Sequence, residues 1–266
     1  MADDCATEFK SAHEINRRER ARRRQAERAL ARQLEYQERK SARVRERATQ
    51  IVARMRQSSE RVREMIEGVR PISPSVRVLE VGSGAHGLIF FFEAETRVGV
   101  DPLAIEYARL FPEWQNRART IAAAGEQLPF TDNSFDVVLC DNVVDHAEDP
   151  AQIVAEMARV LTPGGVLYFT VNTHHPVYAL AAALHTTWNA LGLRYEIGPF
   201  ADHTVHLTPQ RARALFDGLP LRLLRQQTFI EEAKQMSRQR RARHLGDKLK
   251  RVFYKNALYG VIALKN

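Results

Sequence analysis

Residues 78–87 read Val-Leu-Glu-Val-Gly-Ser-Gly-Ala-His-Gly, an apolar, β-branched run that ends on glycines. Such a run is a strand buried on both faces, and the glycines allow a sharp turn whose backbone a ligand can approach closely. Nineteen residues after Gly82 a second apolar run closes on Asp101, in Val98-Gly-Val-Asp-Pro102. An acidic side chain at that point can accept hydrogen bonds from ribose hydroxyls. A helix-capping Asp before Pro102 is the alternative, and the neighbouring glycine turn weighs against it.

The rest of the chain repeats this alternation. Strands are predicted at Val76–Val81, Arg97–Val100, Arg119–Ala122, Asp136–Cys140 and Val166–Val171, with two more at Leu221–Ile230 and Tyr259–Leu264. Helices fall between them: one after Pro102 through Leu110, one from Asp149 to about Leu161, and one capped by Thr208-Pro209 and ended by Gly218. Strands alternating with helices at this spacing make a parallel sheet covered on both faces. Two stretches interrupt the pattern as inserts, residues 176–207 and the basic residues 231–258.

Residues 1–70 differ in kind and are read as a basic helical extension, with residues 71–266 as the α/β domain. Residues 10–69 lack proline, and an apolar stripe runs from Leu30 through Leu34, Val44, Ala48, Ile51, Met55, Val62 and Met65 to Val69, interrupted by Gln37, Ser41 and Ser58. A helix packed on its own domain and a self-associating coiled coil are both compatible with that stripe. Charge is segregated as well. The net is +7 over residues 1–70, −6 over 71–230 and +7 over 231–266. Leu245, Leu249, Val252, Phe253 and Ala257 recur at helical spacing opposite Arg241, Lys248, Lys250, Arg251 and Lys255. The basic arms suit an anionic membrane surface or nucleic acid, or are simply solvated. No apolar stretch approaches the ~20 residues of a membrane span, and no secretory signal opens the chain. Cys5 and Cys140 match no metal spacing and are not expected to pair, so a cytoplasmic protein, peripheral on a membrane if the arms bind lipid, is expected.

Four blocks in order resemble class I S-adenosylmethionine-dependent methyltransferases of the ubiquinone-biosynthesis-like, type 11 group. They are Val78-Leu-Glu-Val-Gly-Ser-Gly84, Gly99-Val-Asp-Pro102, Gly125-Glu-Gln-Leu-Pro-Phe-Thr-Asp-Asn-Ser-Phe-Asp-Val-Val138 and Leu161-Thr-Pro-Gly-Gly-Val166. The resemblance implies a seven-stranded Rossmann-like sheet whose last strand is antiparallel, with S-adenosylmethionine as cofactor. It also implies that Glu80, Gly82, Ser83 and Gly84 shape the pocket for the methionine part and ribose. Asp101 beside Pro102 would bind the ribose, Gly125 and Glu126 would flank the adenine, and Asp141 would lie near the methionine part. The chain departs from the pattern twice, with His86 in place of the third glycine and Ala124 where an acidic residue usually meets the adenine.

Loops after the fourth and fifth strands should meet the methyl acceptor. They supply His146, then Asn172, His174 and His175, and a histidine there could take a proton near neutral pH. His203 and His206 read as surface histidines, and Cys140 as core. No Asp/Asn-Pro-Pro-aromatic motif follows the fourth strand, which disfavours nucleobase amino groups. The expected reaction is O-methylation of a small-molecule, glycan or lipid-linked acceptor. An RNA-binding methyltransferase, or a silent scaffold using its arms, is the alternative.

Overall fold

The computed structural model describes residues 27–179, 205–239, 253–254 and 256–266. Helical residues 27–46 (α1) lead through a turn at Arg47 into α2 (Ala48–Glu67). Then follow β1 (Arg77–Val81), a 3-10 turn at Leu88–Phe90, β2 (Thr96–Val100), α3 (Ala104–Leu110), α4 (Pro112–Gln115) and β3 (Arg119–Ile121). The second half runs β4 (Phe135–Asp141), a 3-10 turn at Val144–His146, α5 (Pro150–Val160), β5 (Leu161–Thr173), α6 (Pro209–Ala214), β6 (Leu221–Thr228), α7 (Ile230–Gln239) and β7 (Ala257–Lys265).

The strands form one sheet in the order β3-β2-β1-β4-β5-β7-β6. β1 to β5 are parallel, and β7 runs antiparallel to both β5 and β6. This is the seven-stranded arrangement that the resemblance implies. Period-2 alternation sorts the side chains to two faces. Leu79, Val81, Val138, Cys140, Leu167, Phe169 and Val171 join one core, under α5 and α6. Val78, Val137, Leu139, Val166 and Tyr168 join the other, under α2 and the aromatic run Phe90–Phe92. Cys140 is fully buried, in keeping with its reading as core.

α2 contributes Met55, Val62 and Ile66 to that second core, so residues on both sides of Pro71 share one apolar cluster. The inward stripe matches the sequence reading at Met55 and Val62 and is displaced by one position at Ser59 and Ile66. Ser59 and Ile66 are buried, whereas Ser58 and Val69 face outward. A straight helix repeats every 3.6 residues, so a 3.5-residue count drifts off the buried face within two or three turns. Ser59 remains satisfied because its hydroxyl donates to the Leu88 carbonyl at 2.7 Å.

β5 starts earlier than the sequence suggests. Leu161 already pairs with Phe135, and the strand passes through Pro163-Gly164-Gly165 with a register shift before Val137. The bulk of both inserts, including Trp188, Tyr195, His203 and the amphipathic run from Arg241 to Val252, lies outside the described residues, as does Cys5. Among the described residues no helix is long and apolar enough to cross a membrane, and no group of three or more His, Cys, Asp or Glu is placed to hold a metal.

Candidate active site

The sheet order reverses direction between β1 and β4, and a crevice at such a point opens above the carboxyl ends of the strands. Gly84, Asp101 and Asp141 stand at the ends of β1, β2 and β4. The Gly82 and Ser83 amides donate to the Val100 carbonyl at 2.7 and 3.1 Å, which ties the turn to β2. Gly82 and Gly84 have φ of +75° and +53°, a region that side-chain-bearing residues rarely adopt.

The two glycines do different work. A Cβ on Gly82 would lie 2.3 Å from Val143, so this position is glycine to let the post-β4 loop close over it. A Cβ on Gly84 would meet nothing nearer than 3.9 Å, so the backbone there faces open space. The Gly84 amide donates to Asp101 Oδ2 at 2.9 Å, and the Leu103 amide donates to Oδ1 at 2.8 Å. Each carboxylate oxygen keeps a lone pair for a further donor. Burial raises the Asp101 pKa, and these two amides oppose that rise. Asp141 lies across the crevice and receives the Thr170 hydroxyl on Oδ1 at 2.5 Å. It touches solvent yet is walled by protein, and its pKa is also raised by burial.

Other residues read from the sequence as cofactor-binding have structural partners. Glu80 is 1% exposed and points into the α2 side of the sheet, where it accepts the Leu88 and Ile89 amides at 3.1 and 2.9 Å. It therefore caps the 3-10 turn behind the glycine loop. That turn also accounts for Gly87 one place late: a Cβ there would lie 2.4 Å from Glu80 Oε2. His86 rests on the stacked Phe111–Trp114 pair at 5.3 and 5.4 Å. From below, Trp114 Nε1 donates to the Ala85 carbonyl at 2.7 Å and Gln115 Nε2 to the Gly84 carbonyl at 3.0 Å. Ser83 is buried against Gly99, and Gly125 against Val81 and Ile153. Pro102 is exposed at the start of the turn into α3. Glu126 Oε1 accepts the Glu148 and Asp149 amides at 2.9 and 3.3 Å, which joins the third sequence block to the start of α5.

That block is fastened by Arg159. Its guanidinium donates to the Leu128 and Phe130 carbonyls and to Glu156 and Asp132. The Leu128 amide returns a bond to Glu156 at 2.8 Å.

The histidines separate clearly. His146 is exposed, with Nε2 3.9 Å from Oδ1 of buried Asp145. His175 is half-buried and accepts the Val177 amide on Nδ1 at 3.3 Å. His174 is fully buried, with its ring 5.2 Å from Tyr178 and 5.0 Å from His206. His206 thus packs beside His174 at the end of β5, not on an outlying surface. Its segment is pinned on both sides: the Val205 amide donates to the Asp145 carbonyl at 3.0 Å, and the His174 amide donates to the Leu207 carbonyl at 2.8 Å. Residue 206 stands 33 residues beyond the end of β5, and no local pattern announces that the chain returns there. Beside it, Asn142 adopts φ +59° and accepts the Asn172 amide at 3.0 Å, which holds the ends of β4 and β5 together.

Residues 79–169 match a family model described as a methyltransferase domain. This part of the chain is a methyltransferase domain. An uncharacterized methyltransferase from Mycobacterium sp. (strain KMS) is 35% identical over 135 residues, covering 49% of this chain and 44% of that protein. A malonyl-[acyl-carrier protein] O-methyltransferase from Halorhodospira halophila is 28% identical over 163 residues, covering 59% and 53%. The chain thus spans about half the length of the curated relatives it matches. Among solved structures, the geranyl diphosphate C-methyltransferase of Streptomyces coelicolor superposes with a TM-score of 0.57 at 13% identity, covering 82% of this chain and 83% of that one. At that identity the likeness speaks for the fold. The matched segment holds the glycine turn, Asp101 and Asp141, and the match ends within β5 ahead of His174 and His206.

Proposed function

We propose that this chain transfers a methyl group from S-adenosylmethionine to an oxygen of a small-molecule, glycan or lipid-linked acceptor. The observation that carries the reading is Asp101, a partly exposed carboxylate beside the open backbone of Gly84. Each of its oxygens is already oriented by one amide and retains room for a hydroxyl donor. A ribose diol presents two such donors, so these residues fit the nucleoside of the cofactor. Asp141, across the crevice, suits the amino group at its other end.

When bound, the cofactor supplies a methyl group already activated by a sulfonium. The chain's own task is then largely positional: to hold an acceptor oxygen in line and receive its proton. The matched domain supports methyl transfer, and the likeness to a malonyl-[acyl-carrier protein] O-methyltransferase favours oxygen.

Calorimetry with S-adenosylmethionine and S-adenosylhomocysteine tests the reading. Binding is expected, and Asp101→Ala should weaken it by about 1–3 kcal/mol through loss of charge-assisted hydrogen bonds. Absence of binding by the unmodified chain would overturn the assignment. Methyl incorporation from labelled cofactor into host metabolite, lipid and RNA fractions then identifies the acceptor class.

A further inference from the structure

On the α2 side of the sheet, β5, β7 and β6 line a hollow of about 80 Å³. Met65, Tyr168, Leu258 and Phe229 make it largely apolar. Thr170 also lines it, and the hydroxyl of Thr170 donates to Asp141 Oδ1 at 2.5 Å. The hollow therefore adjoins the crevice at the carboxyl end of β4.

Two features of the strands leave the hollow open and charged. Gly260 lines it from within β7, and a glycine inside a strand often marks the close approach of a ligand. A Cβ there would meet nothing nearer than 3.9 Å. On β6 the register shifts between Leu223 and Arg225, so Leu224 is the extra residue of a bulge. Strict alternation would send Arg222 and Arg225 to opposite faces. The bulge instead pairs them with Leu264 and Ile262, both on the α2 side, while Leu223 stays with the opposite core. Bulges beside functional sites commonly re-aim a side chain in this way. Arg225 lines the hollow and donates to Gln227 at 3.5 Å, and among the described residues no carboxylate pairs with it. Arg61 of α2 adds positive charge nearby. Burial, Asp141 and Glu80 raise the Tyr168 pKa, and Arg61 opposes that rise.

We propose that this hollow holds the tail of the methyl acceptor, an apolar stem that ends in a carboxylate or a phosphate. This rests on the methyl-transfer reading above and narrows its acceptor. Charge sets the direction, since the crevice end carries Asp141 and the far end carries Arg225, which draws the anion. Asp141, Thr170, Gly260 and Gln227 are successive cross-strand neighbours. Three strand spacings of about 4.8 Å put roughly 14 Å of sheet between the two ends. An acceptor laid along that row presents its neutral, hydroxyl-bearing end to the methyl group and its anion to the arginine. The chain's own basic insert is a poor rival for the place. Residues 240–252 carry six Lys or Arg against one Asp, and Arg225 repels like charge.

Calorimetric titration of the intact chain saturated with S-adenosylhomocysteine tests this, with octanoate, octyl phosphate and neutral octanol as probes. Saturable binding of at least one anion is expected, with octanol weaker by about tenfold or more, the worth of one charge-assisted contact. The tighter of the two anions tells whether a carboxylate or a phosphate is preferred. Arg225→Gln should weaken the anion by that same factor. Gly260→Val should abolish anion binding and keep both the melting temperature and the cofactor affinity, because a β-branched side chain suits a strand and would fill the hollow. If Gly260→Val does not fold, Arg225→Gln alone decides. Three results each overturn the acceptor assignment alone: unchanged anion binding in either folded variant, octanol binding as tight as the anions, or no anion bound by a chain that binds S-adenosylhomocysteine. Failure to bind S-adenosylmethionine and S-adenosylhomocysteine overturns the methyl-transfer reading and this one with it.

Discussion

Glu80 is buried with both carboxylate oxygens accepting backbone amides, and burial pushes its pKa up to about 8 from an ordinary 4.5. A carboxyl raised in the folded state contributes stability that is whole below its unfolded value and is lost as pH climbs through its folded value. Denaturant midpoints should therefore fall across roughly pH 5 to 8. Glu80→Gln should flatten that slope and cost about 1–3 kcal/mol, because its amide nitrogen would oppose one of the two N–H donors. An unchanged slope in the variant would assign the dependence to other groups. Gly82 makes a second test at this scale. Gly82→Ala combines a left-handed backbone with a collision against Val143, at about 1–3 kcal/mol for the overpacking alone. Val143→Ala should recover part of that loss in a double-mutant cycle, and strict additivity would show that backbone strain is the whole cost. These residues also mark what the sequence made legible. The glycine spacing and Asp101 were readable because a ligand-facing turn needs those residue types at those places. The work of Glu80 was not, since its capping of Leu88 and Ile89 depends on a turn whose geometry follows from the substituted third glycine.

At the scale of elements, the central strands β1, β4 and β5 were visible as apolar runs, because parallel strands buried on both faces have few places for polar residues, whereas β3 and β6 carry polar side chains along most of their length. Their ends were harder to place. β5 continues back through Pro163-Gly164-Gly165, since pairing of Leu161 with Phe135 outweighs residues that ordinarily stop a strand. The N-terminal helices were legible as helices, yet their partner was not, because a stripe fits a sheet face and a second helix equally well. In the structure α2 serves the sheet: Ile66 is fully buried with Phe90 and Tyr168 in its cluster. Ile66→Ala should therefore cost about 2–5 kcal/mol in global unfolding, as a large-to-small change in a close-packed core. A cost well under 1 kcal/mol would mean that α2 opens independently of the sheet. The third sequence block owes its fixed shape to one residue of α5. Arg159→Lys keeps the charge but loses the planar fork that reaches two carbonyls and two carboxylates. Partial exposure screens the ion pairs, so a loss of about 1–2 kcal/mol is expected, mostly from the carbonyl bonds. A melting temperature unchanged in this variant would show that backbone contacts alone shape the loop.

At the scale of the whole molecule, charge is segregated along the chain. Residues 71–230 carry a net of −6, and the flanking stretches carry +7 each. Within the first stretch six arginines fall between Arg17 and Arg24, against the single acid Glu19. A cluster of that density attracts phosphates or sulfates with little regard for sequence, and each contact releases condensed counterions. The acidic body should by itself be repelled by a polyanion, so the arms must supply any retention. The full chain is expected to bind heparin at low salt, and deletion of residues 1–26 should make it elute earlier. The deletion should leave the melting temperature unchanged, because this segment offers few apolar side chains to bury. The magnitude separates two physical causes. If six to ten phosphate contacts form on nucleic acid, affinity should fall about 10³–10⁵-fold between 50 and 200 mM salt. On anionic vesicles, a charge-driven arm should likewise release as the Debye length shortens. Vesicle binding that survives 200 mM salt would instead point to the apolar residues Leu245, Leu249 and Val252 entering the lipid interface, since burial of apolar area is insensitive to screening. Deletion of residues 1–26 would then matter little, and substitution of those three side chains by Ser would release the protein.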